Sequence, residues 1–257
     1  MDIRICAALA LAMGAPAVWA QGWLLTIDVP ATAGGQFVAA GEVVQIDDGA
    51  SAPSPLDAGL PPGVAAGALA KSNEGAICWS PEVPTSLPDG QFARSDDVIC
   101  HLDGTYTHSF RGRDYGLPRS ATITSIGWNE AQELHLSFAV PVSVSGGLVK
   151  AGAQVRVDGS SLMPVPDTPA LPPRTMRSAA SFDEQDRAVL ALTTPATLAG
   201  VFGKGLVVLT SDAGSVSSDH SIAALFEDSH RVGLTGLHRL LPDVVEDLLF
   251  SDRFETP

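Results

Sequence analysis

Several things are missing from this chain, and each absence excludes a class of protein. After the first twenty residues there is no run of 18 apolar residues, so no membrane-spanning helix is expected in the remainder. Basic residues are scarce: 15 Lys and Arg stand against 29 Asp and Glu, for a net charge of −14. So acidic a chain repels phosphate backbones and anionic bilayers, which argues against nucleic acid as a partner. Aromatic residues make up only 6% of the chain and cysteines number three. No zinc-ligand spacing joins the cysteines to the six histidines, and G-x-S-x-G, the EF-hand spacing and a tandem Gly-Gly-x-Gly-x-Asp array are all absent. What is present is a composition that is 45% hydrophobic and 17% charged. Over 257 residues that suffices for a sizeable core and does not fit disorder.

Residues 1–20 read as a secretory leader. Arg4 supplies the positive start, Ile5 to Ala17 is mostly apolar but too short to span a bilayer, and Val18 and Ala20 are small residues at −3 and −1 of a cleavage site. Cleavage near Ala20 removes Asp2 and Arg4 together and leaves the charge unchanged. It also removes Cys6, so that Cys78 and Cys100 remain. An even count in an exported chain points to a disulfide, which would stabilise the fold by about 3 kcal/mol.

Comparing the chain with itself is the most informative step. Four apolar runs end near a proline: LLTIDVP (Leu24 to Pro30), ICWSPEVP (Ile77 to Pro84), LHLSFAVP (Leu134 to Pro141) and AVLALTTP (Ala188 to Pro195). Those prolines lie 54, 57 and 54 residues apart. Each is followed by a polar, glycine-containing stretch and then by a second run: VVQID (Val43 to Asp47), VICHLD (Val98 to Asp103), QVRVD (Gln154 to Asp158) and LVVLTSD (Leu206 to Asp212). Each second run leads into an Asp-Gly or Asp-Ala-Gly turn, a hairpin signal. A third short run follows, then a fourth rich in small residues: Ala65 to Ala68, Ser120 to Thr122, Ser178 to Ala180, and Thr235-Gly236. Each repeat therefore predicts four short strands, with 19 prolines and 25 glycines supplying turns. Ser221 to Asp228 has a helical look, but the repeat register assigns it to a strand, and the register is followed here. Asp243 to Phe250 can also form a helical turn or two.

Four-stranded units of this length, repeated about an axis, predict an all-β fold, a small four-bladed β-propeller. The run order resembles blades of the NHL or YVTN type over Trp23 to about Asp243. That resemblance implies a fold and little about chemistry. In this mapping the fourth run of each unit is the innermost strand of the next blade. The innermost strand of the first blade then comes from the C-terminal segment around Val232 to Leu241. Its small inner strands suit a narrow axis. A β-sandwich pair and a β-solenoid are the alternative folds. The expected organisation is a leader over 1–20, the four-repeat domain over 21–243 and a tail over 244–257. The tail LLFSDRFETP resembles the F-x-D-G-F-E ending of exported bacterial proteins, with Arg253 at the glycine position.

No catalytic, cofactor-binding or metal-binding residue is assigned. Asp219-His220 beside Ser217 and Ser218 lacks the context of a hydrolase. The recurring Asp48, Asp103, Asp158 and Asp212 suit turn geometry better than a cation ring. Trp23, Trp79 and Trp128 suit core packing. The most basic stretch, with Tyr106, Phe110, Arg111, Arg113 and Tyr115, is the candidate contact surface. The expectation is an exported, non-catalytic protein that binds an unknown protein, glycan or small ligand. The alternatives are a secreted hydrolase or lactonase-like propeller enzyme and a surface or adhesion component.

Overall fold

The computed structural model describes residues 22–240 apart from 167–170, 173–174, 176, 184–185, 193 and 213–214. The leader and the tail lie outside the described residues. Four four-stranded antiparallel sheets make up four blades. From the axis outward, blade 1 is Leu234–Leu240, Gly22–Ile27, Val44–Asp47 and Ser54–Pro55. Blade 2 is Ala66–Lys71, Ile77–Pro81, Asp97–Leu102 and Thr105–Arg111. Blade 3 is Ile123–Trp128, Leu134–Phe138, Gln154–Asp158 and Ser161–Pro164. Blade 4 is Arg177–Phe182, Ala188–Leu192, Val208–Asp212 and Ser215–Asp219. The four-bladed propeller read from the repeat is therefore the architecture.

Ring closure follows the expected route. The inner strand of blade 1 comes from the C-terminal side and pairs with Gly22–Ile27, from Gly22 opposite Leu240 to Ile27 opposite Leu234. Closure of this kind leaves no open inner edge to recruit another chain.

Second strands are buried on both faces. Gly22–Ile27 and Leu134–Phe138 are buried at every residue. Strands between two packed neighbours read as continuous apolar runs, which is why these were the clearest signal in the sequence. Core clusters lie in the seams between blades. One joins Cys78, Val98 and Phe110 of blade 2 to Ile126, Leu136 and Val155 of blade 3. Another joins Leu25, Val44 and Leu237 of blade 1 to Ala179, Val189 and Val208 of blade 4. A third joins Leu24 and Leu240 of blade 1 to Leu69, Trp79 and Ile99 of blade 2.

Every inner strand carries a β-bulge at the same place. Register shifts between inner and second strands fall at Gly67, Thr124, Ser178 and Thr235. A bulge sharpens strand twist, as a tight four-membered ring requires. The inner strands of blades 1 and 3, on opposite sides of the axis, approach within 8 Å between Cα atoms. At Gly236 an added Cβ would meet Leu69 Cβ and Thr26 Oγ1, each at 2.6 Å.

Three features differ from the sequence expectation. Each repeat carries an additional two-stranded hairpin between its second and third strands: Ala31–Ala33 with Gln36–Val38, Thr85–Ser86 with Phe92–Ala93, Val142–Val144 with Gly147–Val149, and Ala196–Leu198 with Val201–Gly203. These occupy the stretches read as polar connections. In blade 3 the inner strand is Ile123–Trp128, within the fourth run SATITSIGWNEA but after its small residues Ser120 to Thr122. The predicted strand within Ser221 to Asp228 is instead the helix Ser221–Leu225. Ser215–Asp219 already fills the outer place of blade 4. Ile222 and Phe226 then bury themselves against Ala33 and its neighbours, and the Ala224 amide closes the helical turn on His220 O at 3.0 Å. Asp219 Oδ1 accepts the Ser221 amide at 2.7 Å.

Cys78 and Cys100 sit directly opposite each other on neighbouring strands and form the expected disulfide. Removing it by a Cys78→Ala/Cys100→Ala double substitution should lower unfolding stability by about 3 kcal/mol in denaturant titration. Gly236→Val should destabilise by more than about 2 kcal/mol, because the approach of blades 1 and 2 leaves no space for a branched side chain. A shift of the denaturation midpoint within error would contradict either expectation.

Candidate functional site

The strand directions define two faces. Inner strands begin, and hairpins project, on one face. The opposite face carries the turns from inner to second strand and from third to outer strand. The axis, the hairpin face and the turn face are three separate places for a site.

At the axis, His238 of blade 1 meets Ser181 of blade 4, with Nδ1 3.0 Å from Oγ. His238 keeps some accessible surface but is enclosed by protein. Burial, with Lys71 of blade 2 adding to it, pushes its pKa from 6.5 down to about 3. A group that binds a proton so weakly is a poor base for activating a serine. His135 is also buried, edge-on to Phe182 at 4.9 Å; burial lowers its pKa, and neither ring nitrogen has a hydrogen-bond partner. Among the described residues no group of three His, Cys, Asp or Glu side chains could hold a metal ion. Asp48 and Asp103 occupy turns and Asp158 ends a strand just before one, each on a different blade. Asp103 and Gly104 have φ of 49° and 78°, as a two-residue hairpin turn demands, and Asp48 pairs with Arg239 at 3.0 Å.

The structure distributes the five candidate contact residues over different seams. The Tyr106 hydroxyl donates to Gly59 O at 2.7 Å, toward blade 1. The Tyr115 hydroxyl donates to Gly159 O at 2.9 Å, toward blade 3. Burial raises the pKa of both phenols. Phe110 is buried and stacks on Tyr115 at 4.6 Å. Arg111 lies 3.2 Å from His108 Nδ1, while Arg113 is exposed beside Asp114. Behind this stretch lies a buried cluster that the sequence did not announce. Arg94 bonds Asp96 at 2.7 Å, and Asp97 accepts the amides of Arg94 and Gly112. Desolvation raises the pKa of Asp96.

On the hairpin face one register position repeats. Phe37, Phe92, Leu148 and Phe202 lie opposite Thr32, Ser86, Ser143 and Thr197 respectively. They are 71%, 57%, 74% and 57% exposed, while the next residue in each hairpin, Val38, Ala93, Val149 or Gly203, is buried. A single exposed apolar side chain is ordinary. Four at one equivalent position form a fourfold crown. Two residues further on come Ala39, Arg94, Lys150 and Lys204, so two of the three lysines in the chain flank it.

On the turn face a cleft of about 580 Å³ opens in the seam between blades 2 and 3. Its walls include Trp128, Asn73, Glu74, Asp103 and Gln132, with the outer strand of blade 2 along one side.

No family model and no curated protein matches the chain. Several solved structures resemble it at low identity. A protein of unknown function from Bacteroides caccae is 10% identical, with 78% of this chain and 58% of that chain covered and a TM-score of 0.30. This chain thus spans less than two thirds of that protein. A catalytically inactive virginiamycin B lyase from Staphylococcus aureus, with quinupristin, is 12% identical over 79% of this chain and 71% of that chain, with a TM-score of 0.31. YCF48 bound to D1 peptide is 12% identical over 72% and 66%, with a TM-score of 0.29. Such scores carry no argument about chemistry.

The axial histidine makes a pH prediction. Its folded pKa lies below the unfolded value of about 6.5, so in acid the unfolded chain takes up a proton that the folded chain refuses. Stability contributed by neutral His238 is therefore present above pH 6.5 and lost as pH falls toward 3, at up to about 1.4 kcal/mol per unit. His108 and His135, also lowered chiefly by burial, act in the same direction, while the raised pKa of Asp96 opposes them. Denaturant titration at pH 7 and pH 5 should show a loss that His238→Gln reduces by about 1–2 kcal/mol. An equal loss in both proteins would contradict this account of the axis.

Proposed function

We propose that this protein is an exported, non-catalytic interaction module that holds a protein partner on its hairpin crown. The observation that carries this reading is the recurrence of one exposed apolar residue, Phe37, Phe92, Leu148 and Phe202, at one register position in all four repeats. Exposed apolar patches rimmed by polar groups are what protein-binding surfaces offer. Lys150 and Lys204 beside them, in a chain of charge −14, favour a partner whose apolar surface is bordered by Asp or Glu. Export is supported by the leader-like residues 1–20 and by the Cys78–Cys100 disulfide, a bond that persists in oxidising compartments. Among the described residues no helix is long and apolar enough to cross a membrane.

The crown is open to substitution, which makes the test clean. Phe37→Ser/Phe202→Ser should change unfolding stability by less than about 1 kcal/mol. Lys150→Glu/Lys204→Glu should be equally benign to the fold. Crosslinking in the native envelope or medium, followed by mass spectrometry, should give a protein captured by the wild-type chain and lost from both variants. Capture that is the same for all three proteins would defeat the proposal. So would crown-dependent association with phospholipid vesicles in place of a protein.

A further inference from the structure

We infer that the cleft between blades 2 and 3 is a saccharide site, built for a linear, uncharged oligosaccharide and independent of the crown. Of its lining, Ser72 Oγ accepts the Ala76 amide at 3.2 Å and Thr107 Oγ1 donates to Cys100 O at 3.5 Å, while the amides and carboxylates stand open. On the same face Asn129 and Glu133 bond each other, Arg156 bonds Glu133 at 2.9 Å, Arg187 bonds Asp183 at 2.8 Å and Asp48 pairs with Arg239. Among the described residues, Asn73, Glu74, Asp103 and Gln132 engage no hydrogen-bond partner through their side chains. Four exposed planar amide or carboxylate groups around one open volume are available to a ligand.

The chemistry of the walls selects that ligand. Thr105, Thr107 and Ser109 alternate along the outer strand of blade 2, so their hydroxyls leave the same face of the strand. Thr105 and Thr107 are spaced by about 7 Å, and Ser109 follows at the bulge of the strand, so three hydroxyl groups line one wall. The half-buried indole of Trp128 stands across from them as a flat apolar surface. A sugar ring presents an apolar C–H face to such a surface and a rim of hydroxyls, each donor and acceptor, to amides, carboxylates and hydroxyls. The volume of about 580 Å³ falls in the range of small-ligand sites. No cationic side chain lines the cleft, and Glu74 and Asp103 repel an anion, so acidic glycans and phosphates are excluded. An organic amine would answer the two carboxylates and the indole but leave the hydroxyl row and both amides unused.

The test uses the mature protein and a panel of cellohexaose, maltohexaose and chitohexaose, followed by tryptophan fluorescence and calorimetry. At least one should bind saturably with a dissociation constant below about 1 mM, and oligogalacturonate should not. Trp128→Ala should weaken that binding by about tenfold or more, and Trp128→Phe by less. Because Trp128 also packs against the seam, Asn73→Ala and Asp103→Asn provide a second arm. Both lie in surface turns and should leave the melting temperature unchanged while weakening binding severalfold. Silence from all three sugars up to about 10 mM overturns the inference. So does binding that survives Asn73→Ala and Asp103→Asn unchanged, and so does saturable binding of spermidine with no response to any neutral sugar. Crown variants should bind the sugar as the wild type does, which separates this site from the crown.

Discussion

Each blade is a sheet that is apolar on both faces and therefore cannot be stable alone. That constraint organises the molecule. Leu24 and Leu25 are adjacent on one strand, yet Leu24 packs toward blade 2 and Leu25 toward blade 4. The same division holds in blade 2, where Leu69 and Trp79 face blade 1 while Cys78 and Val98 face blade 3. Removing any one sheet would expose two seams. Hence the chain must close on itself, and the pairing of Gly22–Ile27 with Leu234–Leu240 links the two ends of the described chain in one sheet. Repeat proteins generally bury their hydrophobic faces only through neighbours. Here, with four repeats in a ring, each blade has two neighbours and no capping unit is required.

Closing a ring with only four members brings the inner strands very close together. Bulges at Gly67, Thr124, Ser178 and Thr235 twist all four inner strands at the same level. Gly236 and Gly127 let neighbouring blades touch where any larger residue would collide or crowd. What remains at the axis is enclosed, and its histidine is held neutral. The hairpins extend one face and carry apolar side chains outward. On the other face the seam between blades 2 and 3 opens between turns.

Much of this was legible in the sequence, because burial on both faces writes second and third strands as dense apolar runs punctuated by Pro and Asp-Gly. The ring closure was legible too, since the chain begins at a second strand and ends with an unpaired first one. The hairpins were not. Their strands are two or three residues long and only half-buried, so that QFV, QFA, GLV and VFG look like connections. Aligned on the prolines, the exposed Phe or Leu falls 7 or 8 residues after each (Pro30 to Phe37, Pro84 to Phe92, Pro141 to Leu148, Pro195 to Phe202), a recurrence available to inspection and missed because it was not hydrophobic enough to count as a strand. The repeat register predicts a strand over Ser221 to Asp228, but Ser215–Asp219 already completes blade 4, so no place in the sheet is left for it and Ser221–Leu225 closes a helical turn instead. The basic stretch around Arg111 drew attention by charge, whereas its aromatic residues serve the seams.

The four seams began as copies, so their differences are the informative part of the structure. Blade 2 has the longest outer strand, seven residues in Thr105–Arg111 against two in Ser54–Pro55, and the disulfide that braces its middle strands lies at the base of the cleft, where Cys100 is one of the lining residues. A longer outer strand extends the wall, and a crosslink between the two middle strands limits how far that wall can move when the cleft fills. On blade 4 Asp183 and Arg187 bond each other, and on blade 1 Asp48 is held by Arg239, which leaves those groups little to offer a ligand. At the blade 2–3 seam the corresponding groups are left free and the scaffold behind them is reinforced instead. The crown is the converse case, since there the four copies have kept the same apolar position. A feature kept in every repeat suits a partner that covers the whole face, while a feature confined to one seam suits a ligand that fits within it.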